Sequence, residues 1–252
     1  LPTEKIIKEY LQNSFILYMP KDIVAGDFYW LEHFENKVLF AAADCTGHGV
    51  PGAMVSVICH NALNRSVRDH GISDPGRILD KTREIVINEF GKSEDQVKDG
   101  MDIALCSLDG NTLEFAGANN PLWIIRKGDF NREDLIVDGL KPSVLNDNGY
   151  SIFEIKGDKQ PVGKHDTTTD FKTTKVQLQK DDTIYIFSDG YTEQFGGEEG
   201  KKLKLQGLKS ILLRTQELTM QSQRSHFKQA FDVWKMDLEQ VDDVCLLGLR
   251  IQ

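Results

Sequence analysis

The order in which two kinds of periodicity follow one another constrains this chain more than any other feature. Short apolar runs, none reaching ten residues, come in groups, and pairs of amphipathic stretches separate the groups. Phe15 to Met19, Asp27 to Leu31 and Val38 to Ala43 read as strands. Pro51 to about Asp69 reads as a helix with Met54, Val55, Ile58, Ala62, Leu63 and Val67 on its core face. A second helix starts at Asp74-Pro75, because Asp caps and Pro suits the first helical position; it carries Ile78, Leu79, Ile85, Val86 and Phe90 and ends at Gly91. Ile103 to Leu108 and Thr112 to Ala116 flank Asp109-Gly110, a hairpin signal. Strands are expected at Leu122 to Arg126, Leu135 to Val137, Ser151 to Ile155 and Phe171 to Leu178, with the polar stretch from Gly139 to Asp170 a flap or surface excursion. Thr183 to Phe187 is an apolar strand. Gln206 to Thr215 and Met220 to Leu238 read as helices, the second with Phe227, Phe231, Trp234 and Leu238 in its stripe. Val244 to Ile251 is nearly all apolar and so is expected to be buried on both faces. This order predicts an α+β fold of mostly antiparallel sheets with helix pairs packed outside, not regular βαβ alternation.

Composition narrows the function classes. The 252 residues suit one large domain or two small ones, and evenly spread turn signals favour one. A net charge of −9 lacks the electrostatic footprint of a nucleic-acid binder and offers no attraction to an anionic membrane surface. The apolar runs fall short of the roughly 20 residues that span a bilayer, so no direct membrane insertion is expected. Cys45, Cys59, Cys106 and Cys245 are far apart and form no C-x-x-C pair, which reads as buried or semi-buried thiols in a reducing compartment. The start, Leu-Pro-Thr-Glu-Lys, has no Met and no secretory leader, and is read as a piece of a longer chain. Thr3 can cap a short helix, Thr3 to Asn13, with Ile6, Ile7, Tyr10 and Leu11 on its apolar face. That face suits packing on the domain itself or on a second chain, which would make a homodimer.

The chemistry lies in a repeated placement of carboxylates. Asp27 precedes Phe28, Asp44 follows Leu39 to Ala43, Asp189 follows Ile184 to Ser188, and Asp242 and Asp243 precede Val244 to Leu247. Acidic groups brought together at strand ends repel one another unless a cation neutralises them, and all-oxygen ligands select hard ions such as Mg²⁺ or Mn²⁺. Each Asp taken alone can equally be a turn residue capping backbone amides.

Asp44-Cys45-Thr46-Gly47-His48-Gly49-Val50-Pro51-Gly52-Ala53 resembles the metal motif of the SpoIIE-like bacterial serine phosphatases, a branch of the metal-dependent (phosphatase 2C type) superfamily. Ile23 to Trp30, Ala116 to Pro121, Phe187 to Gly190 and Asp242-Asp243-Val244 match further family segments in order. The resemblance implies an αββα sandwich over residues 15–252, with residues 1–14 as an amino-terminal connecting helix. It implies two Mn²⁺ or Mg²⁺ ions, with Asp44 bridging both, Asp189 and Asp242 on one, and Asp27 and the Cys45 carbonyl on the other. Asp243 falls in the surrounding shell, the choice between Asp242 and Asp243 as ligand being open. Gly47 and Gly49, in the Gly-rich turn from Gly47 to Gly52, let the backbone approach the ions.

The implied reaction is hydrolysis of a phosphoserine or phosphothreonine monoester by direct attack of water, with Asp44, Asp189 and His48 as the catalytic candidates. His48 is either a general acid for the leaving oxygen or a histidine packed in the turn. No role is assigned at Ala118-Asn119, where relatives often carry a His. The implied substrate is a phosphorylated regulatory protein such as an anti-anti-sigma-factor-like domain. The domain would be the cytoplasmic output of a longer sensor chain, on the cytoplasmic side if that chain is membrane-anchored. The rival reading is a catalytically silent phosphoprotein-binding module on the same fold. Trp30, Trp123 and the Phe227, Phe231, Trp234 stripe are expected in the core. Lys201-Lys202-Leu203-Lys204 reads as a solvated loop or a contact for an acidic partner.

Overall fold

The structure is a computed structural model that describes residues 1–91, 99–128, 144–147 and 149–252. Its elements are α1 (Glu4–Tyr10), β1 (Ser14–Met19), β2 (Phe28–Phe34), β3 (Lys37–Cys45), α2 (Gly49–Arg68), α3 (Pro75–Phe90), β4 (Gly100–Asp109), β5 (Thr112–Ala118), β6 (Leu122–Lys127), β7 (Val144–Asp147), β8 (Tyr150–Ile155), β9 (Val162–Gly163), β10 (Thr174–Gln177), β11 (Thr183–Phe187), α4 (Gly190–Glu193), β12 (Phe195–Gly196), β13 (Lys201–Lys202), α5 (Lys204–Arg214), α6 (Met220–Lys235) and β14 (Val244–Arg250). Two six-stranded antiparallel sheets result. One runs β1-β14-β11-β6-β8-β7; the other runs β10-β5-β4-β3-β2, with β9 also paired to β4.

The sheets lie face to face with helices outside, because their central strands are apolar on both faces. In β3, Phe40 and Ala42 enter the core between the sheets, where they meet Ile124, Phe153, Ile186 and Leu247. The alternate residues Leu39, Ala41 and Ala43 pack under α2 and α3 against Val55, Cys59, Leu63, Ile78 and Val86. The sheet of β6, β11 and β14 repeats this outward, with Trp123, Tyr185, Phe187 and Leu246 under Leu208, Leu212, Phe227 and Phe231 of α5 and α6. Each fully buried side chain of this kind stabilises the fold by roughly 1.5–3 kcal/mol.

Local signals act as expected at most boundaries. The Asp74 carboxylate accepts from Arg77 N at 2.9 Å and Pro75 opens α3. Gly110 turns the β4–β5 hairpin at φ 55°. Trp30 and Trp123 are both buried. All four cysteines are buried free thiols. Among the described residues no helix is long and apolar enough to cross a membrane.

Some faces and limits differ from the sequence reading. The buried stripe of α2 is Val55, Cys59, Ala62, Leu63, Ser66 and Val67, which leaves Met54 two-thirds exposed (66%) and Ile58 only half-buried. Ser66 enters that stripe because its hydroxyl meets Thr82 Oγ1 of α3 and Ala62 O, each at 2.9 Å. α6 stops at Lys235, so Leu238 lies beyond the helix, exposed, and Trp234 is half-buried, donating to Gln194 O at 3.0 Å. β10 is shorter than Phe171 to Leu178, since Phe171 is buried beneath the Arg83 guanidinium and its carbonyl abuts Gly76 at the start of α3. Within the expected surface excursion, β8 is a buried strand of the first sheet and β9 pairs with β4. The strand expected at Leu135 to Val137 lies outside the described residues.

The amino-terminal helix belongs to the same packed unit. Ile7 and Leu11 are buried in the core between the sheets, while Ile6 and Tyr10 stay exposed. The helix is shorter than Thr3 to Asn13, closing at a Leu11 C-cap.

Candidate active site

Four strand ends meet at one edge of the sandwich. Asp27 immediately precedes β2, Asp44 and Cys45 end β3, Asp189 follows β11 and Asp242-Asp243 precede β14. Pairing sets this alignment: Phe28 lies opposite Ala43 in one sheet, and Phe187 lies opposite Leu246 in the other. The two sheets are joined here by Asp243, whose Oδ2 accepts from Gly26 N at 2.8 Å and whose Oδ1 accepts from Lys21 N at 2.7 Å.

The carboxylates of this edge share one electrostatic neighbourhood. Burial first, and then the charge of Asp44, push the Asp27 carboxyl up to about 10, with the Ser188 hydroxyl pulling the other way. Asp44 is pushed up to about 8 by burial, then by Asp189, Asp242 and Asp102. Asp189 opens to solvent at the rim, yet partial burial and then Asp242 still hold it above the ordinary carboxylate range. The structure therefore brings Asp27, Asp44, Asp189 and Asp242 together. Asp243 is set apart by its role: both of its oxygens are spent on backbone amides of the Lys21 to Gly26 loop. Asp242 Oδ1 accepts from Asp243 N at 2.8 Å.

Glycines make the close approach of these loops sterically possible. A Cβ on Gly26 would sit 2.3 Å from Gly47 O and 3.3 Å from Cys45 O, and one on Gly52 would sit 2.1 Å from Gly47 O. Gly47 and Gly49 turn the chain at φ 85° and 63°. The Cys45 thiol is buried and held protonated, by burial first and then by the neighbouring Cys59. Its carbonyl, not its sulfur, is the donor compatible with a hard cation.

His48 stands at the N-cap of α2 and is exposed. Its Nδ1 lies 3.3 Å from Asp22 Oδ2 and its Nε2 lies 3.2 Å from Lys21 Nζ. Sequence reading missed those two partners, and it missed Asp102. Asp102 lies directly opposite Asp44 in the β3–β4 ladder and accepts from Asn119 Nδ2 at 2.8 Å. Its signal was a lone carboxylate inside the apolar strand Met101 to Leu108, readable only once the register is known. Tyr18, also missed, donates its hydroxyl to Asp27 O at 3.0 Å.

Among the described residues, no group of three or more His, Cys, Asp or Glu side chains has the spacing of a ready-made metal cage. The donor chemistry still fits hard divalent cations. Every candidate donor is oxygen, the carboxylates repel one another, and the buried Asp27 Oδ2 has no hydrogen-bond partner.

Comparison with known proteins bears on the family and the fold. The family model for Stage II sporulation protein E (SpoIIE) matches residues 35–140 and 134–252. No curated protein sequence matches the chain. Among solved structures, the SiaA-PP2C domain of Pseudomonas aeruginosa is 25% identical with a TM-score of 0.81, over 99% of this chain and 90% of that one. The PP2C phosphatase domain of SpoIIE from Bacillus subtilis, with a fragment of its regulatory domain, is 16% identical with a TM-score of 0.68, over 95% of this chain and 63% of that one. RsbX in complex with magnesium is 13% identical with a TM-score of 0.60, over 94% of each chain. The αββα sandwich, the carboxylate-lined edge and the family match together place this chain in the SpoIIE family of PP2C-type phosphatase domains.

Proposed function

We propose that this domain is an Mn²⁺- or Mg²⁺-dependent protein serine/threonine phosphatase that hydrolyses phosphoserine or phosphothreonine on a regulatory protein. The observation that carries this reading is the convergence of Asp27, Asp44, Asp189 and Asp242 at one edge, where Asp44 acts on Asp27, Asp189 acts on Asp44, and Asp242 acts on all three. Asp44, Asp189, Asp242, Asp27 and the Cys45 carbonyl would hold two ions. Such ions supply Lewis-acid charge to phosphoryl oxygens and make water a stronger acid. The chain's own residues do the rest. Asp243 and Tyr18 fix the loop that carries Asp27, and the Gly26, Gly47 and Gly52 contacts hold that loop against the Asp44 turn. No side-chain nucleophile is needed, which agrees with four buried cysteine thiols.

The substrate is proposed to be a phosphorylated regulatory protein of the anti-anti-sigma-factor-like kind, and the domain the cytoplasmic output of a longer sensor chain. Support comes from the SpoIIE relative, solved together with part of a regulatory domain. The test is phosphate release from a phosphoserine peptide with Mn²⁺, with EDTA and Asp44→Asn as controls. Release that is lost in both controls is expected. Well-folded protein that hydrolyses none of several phosphoproteins would favour a silent binding module.

A further inference from the structure

Lys21 carries a charge at the rim of this site that no described carboxylate neutralises. Its backbone N–H donates to Asp243 Oδ1 at 2.7 Å, which ties its position to the acidic edge. Its Nζ lies 3.2 Å from His48 Nε2. An ammonium can only donate, so Nε2 is the acceptor and the imidazole proton sits on Nδ1, facing Asp22 Oδ2 at 3.3 Å. The row Asp22, His48, Lys21 thereby holds a flexible cation in one place. Among the described residues no ion pair involves Lys21, whereas Lys202, the cation acting on Asp189, is paired with Glu193. Asp27, Asp44, Asp102, Asp189 and Asp242 otherwise make this edge negative, and a phosphomonoester dianion approaching it gains from a fixed cation at the mouth.

We propose that Lys21 binds the phosphoryl group of the substrate, with His48 and Asp22 as positioning residues for its ammonium. The proposal rests on the phosphatase reading above. An ammonium is a compact point charge with three donors, which suits a phosphate oxygen without the fixed fork of a guanidinium. In this arrangement His48 Nε2 has no proton to give to a leaving oxygen, so the imidazole supports binding and is not the acid.

The test pairs calorimetry of inorganic phosphate binding, in Mn²⁺ or Mg²⁺, with kinetics on a phosphoserine peptide and on p-nitrophenyl phosphate. Lys21→Met is expected to weaken phosphate about tenfold. It should raise KM on both substrates alike while kcat stays within about threefold, the mark of lost uniform binding. Lys21→Arg should restore most of the loss, and His48→Asn should give a smaller change of the same kind. Thermal midpoints of the variants report on folding. Phosphate binding by Lys21→Met equal to wild type, or no phosphate binding by wild type, overturns the proposal. So does a His48→Asn loss at least about tenfold greater on the peptide, whose leaving group needs a proton, than on the nitrophenyl ester. Wild-type protein that turns over no phosphoprotein, while phosphate binding still depends on Lys21, would overturn the phosphatase reading and leave the anion site standing.

Discussion

Asp182 and Asp189 flank the two ends of one strand, β11, and the fold treats them in opposite ways. Asp182 is fully buried and fully matched: Arg126 donates Nε and Nη2 to its two oxygens at 2.6 Å each, and Gln179 N adds a bond at 2.7 Å. At the other end Asp189 meets Asp44 and Asp242, and Asp27, buried at the same edge, has an oxygen with no partner. A buried charge normally acquires a partner or neutralises itself. This chain supplies one at the closed end and withholds it at the open end. Uncompensated charge concentrated at one edge, beside an identical residue type that is satisfied, is the mark of a site and not of poor packing.

That contrast can be broken from either side. The largest effect is expected at the closed end. Arg126→Met strands a buried carboxylate and should cost about 3–5 kcal/mol of stability in denaturant unfolding, with kcat of the folded fraction unchanged. At the open end, Asp44→Asn should do the reverse. Phosphate release should fall at least about a hundredfold, because Asp44 would be one of the residues holding the ions, while EDTA-treated protein at pH 8 gains thermal stability as one repelling charge disappears. Next, Asp243→Asn puts an amide N–H against the N–H of Lys21 or Gly26. Mn²⁺ affinity, read by calorimetry, should fall about 10–100-fold.

The smallest effect, taken per pH unit, is a slope with pH in EDTA. Asp27 and Asp44 have folded pKa values above their unfolded ones, so stability is fullest below about pH 4 and declines as pH rises through about 8, the Asp44 value. One such carboxylate costs about 1 kcal/mol per pH unit, or about 2–4 °C in Tm. Scanning calorimetry from pH 5 to about 8 reads this slope, and Asp44→Asn should make it shallower, with Asp27 supplying what remains. A flat profile in the wild type would show that burial and neighbouring charge do not hold these carboxyls above their ordinary range.

The layered fold was legible because its signals are local. Alternation in β3, the Asp74 cap and the Asp109-Gly110 turn each act within a few residues. Faces that depend on a distant partner were less legible. Met54 and Leu238 fit a helical period, but what packs against α2, and where α6 stops, decided that both are exposed. The four strand-end carboxylates were visible as a pattern. Asp102 was not, because its place beside Asp44 is a property of the β3–β4 register. Lys21 and Asp22 were overlooked for a similar reason: their link to His48 exists only when the Lys21 to Gly26 loop folds onto the Gly47 turn.

The sequence by itself determined which segments become strands and helices, and which residue types stand at their ends, since backbone propensity and hydrophobic period are short-range. Only the tertiary structure decided that Asp182 meets an arginine while Asp27, Asp44, Asp189 and Asp242 meet one another. Charge–charge energies depend on distance and burial, and neither is set until strands remote in the chain are aligned side by side.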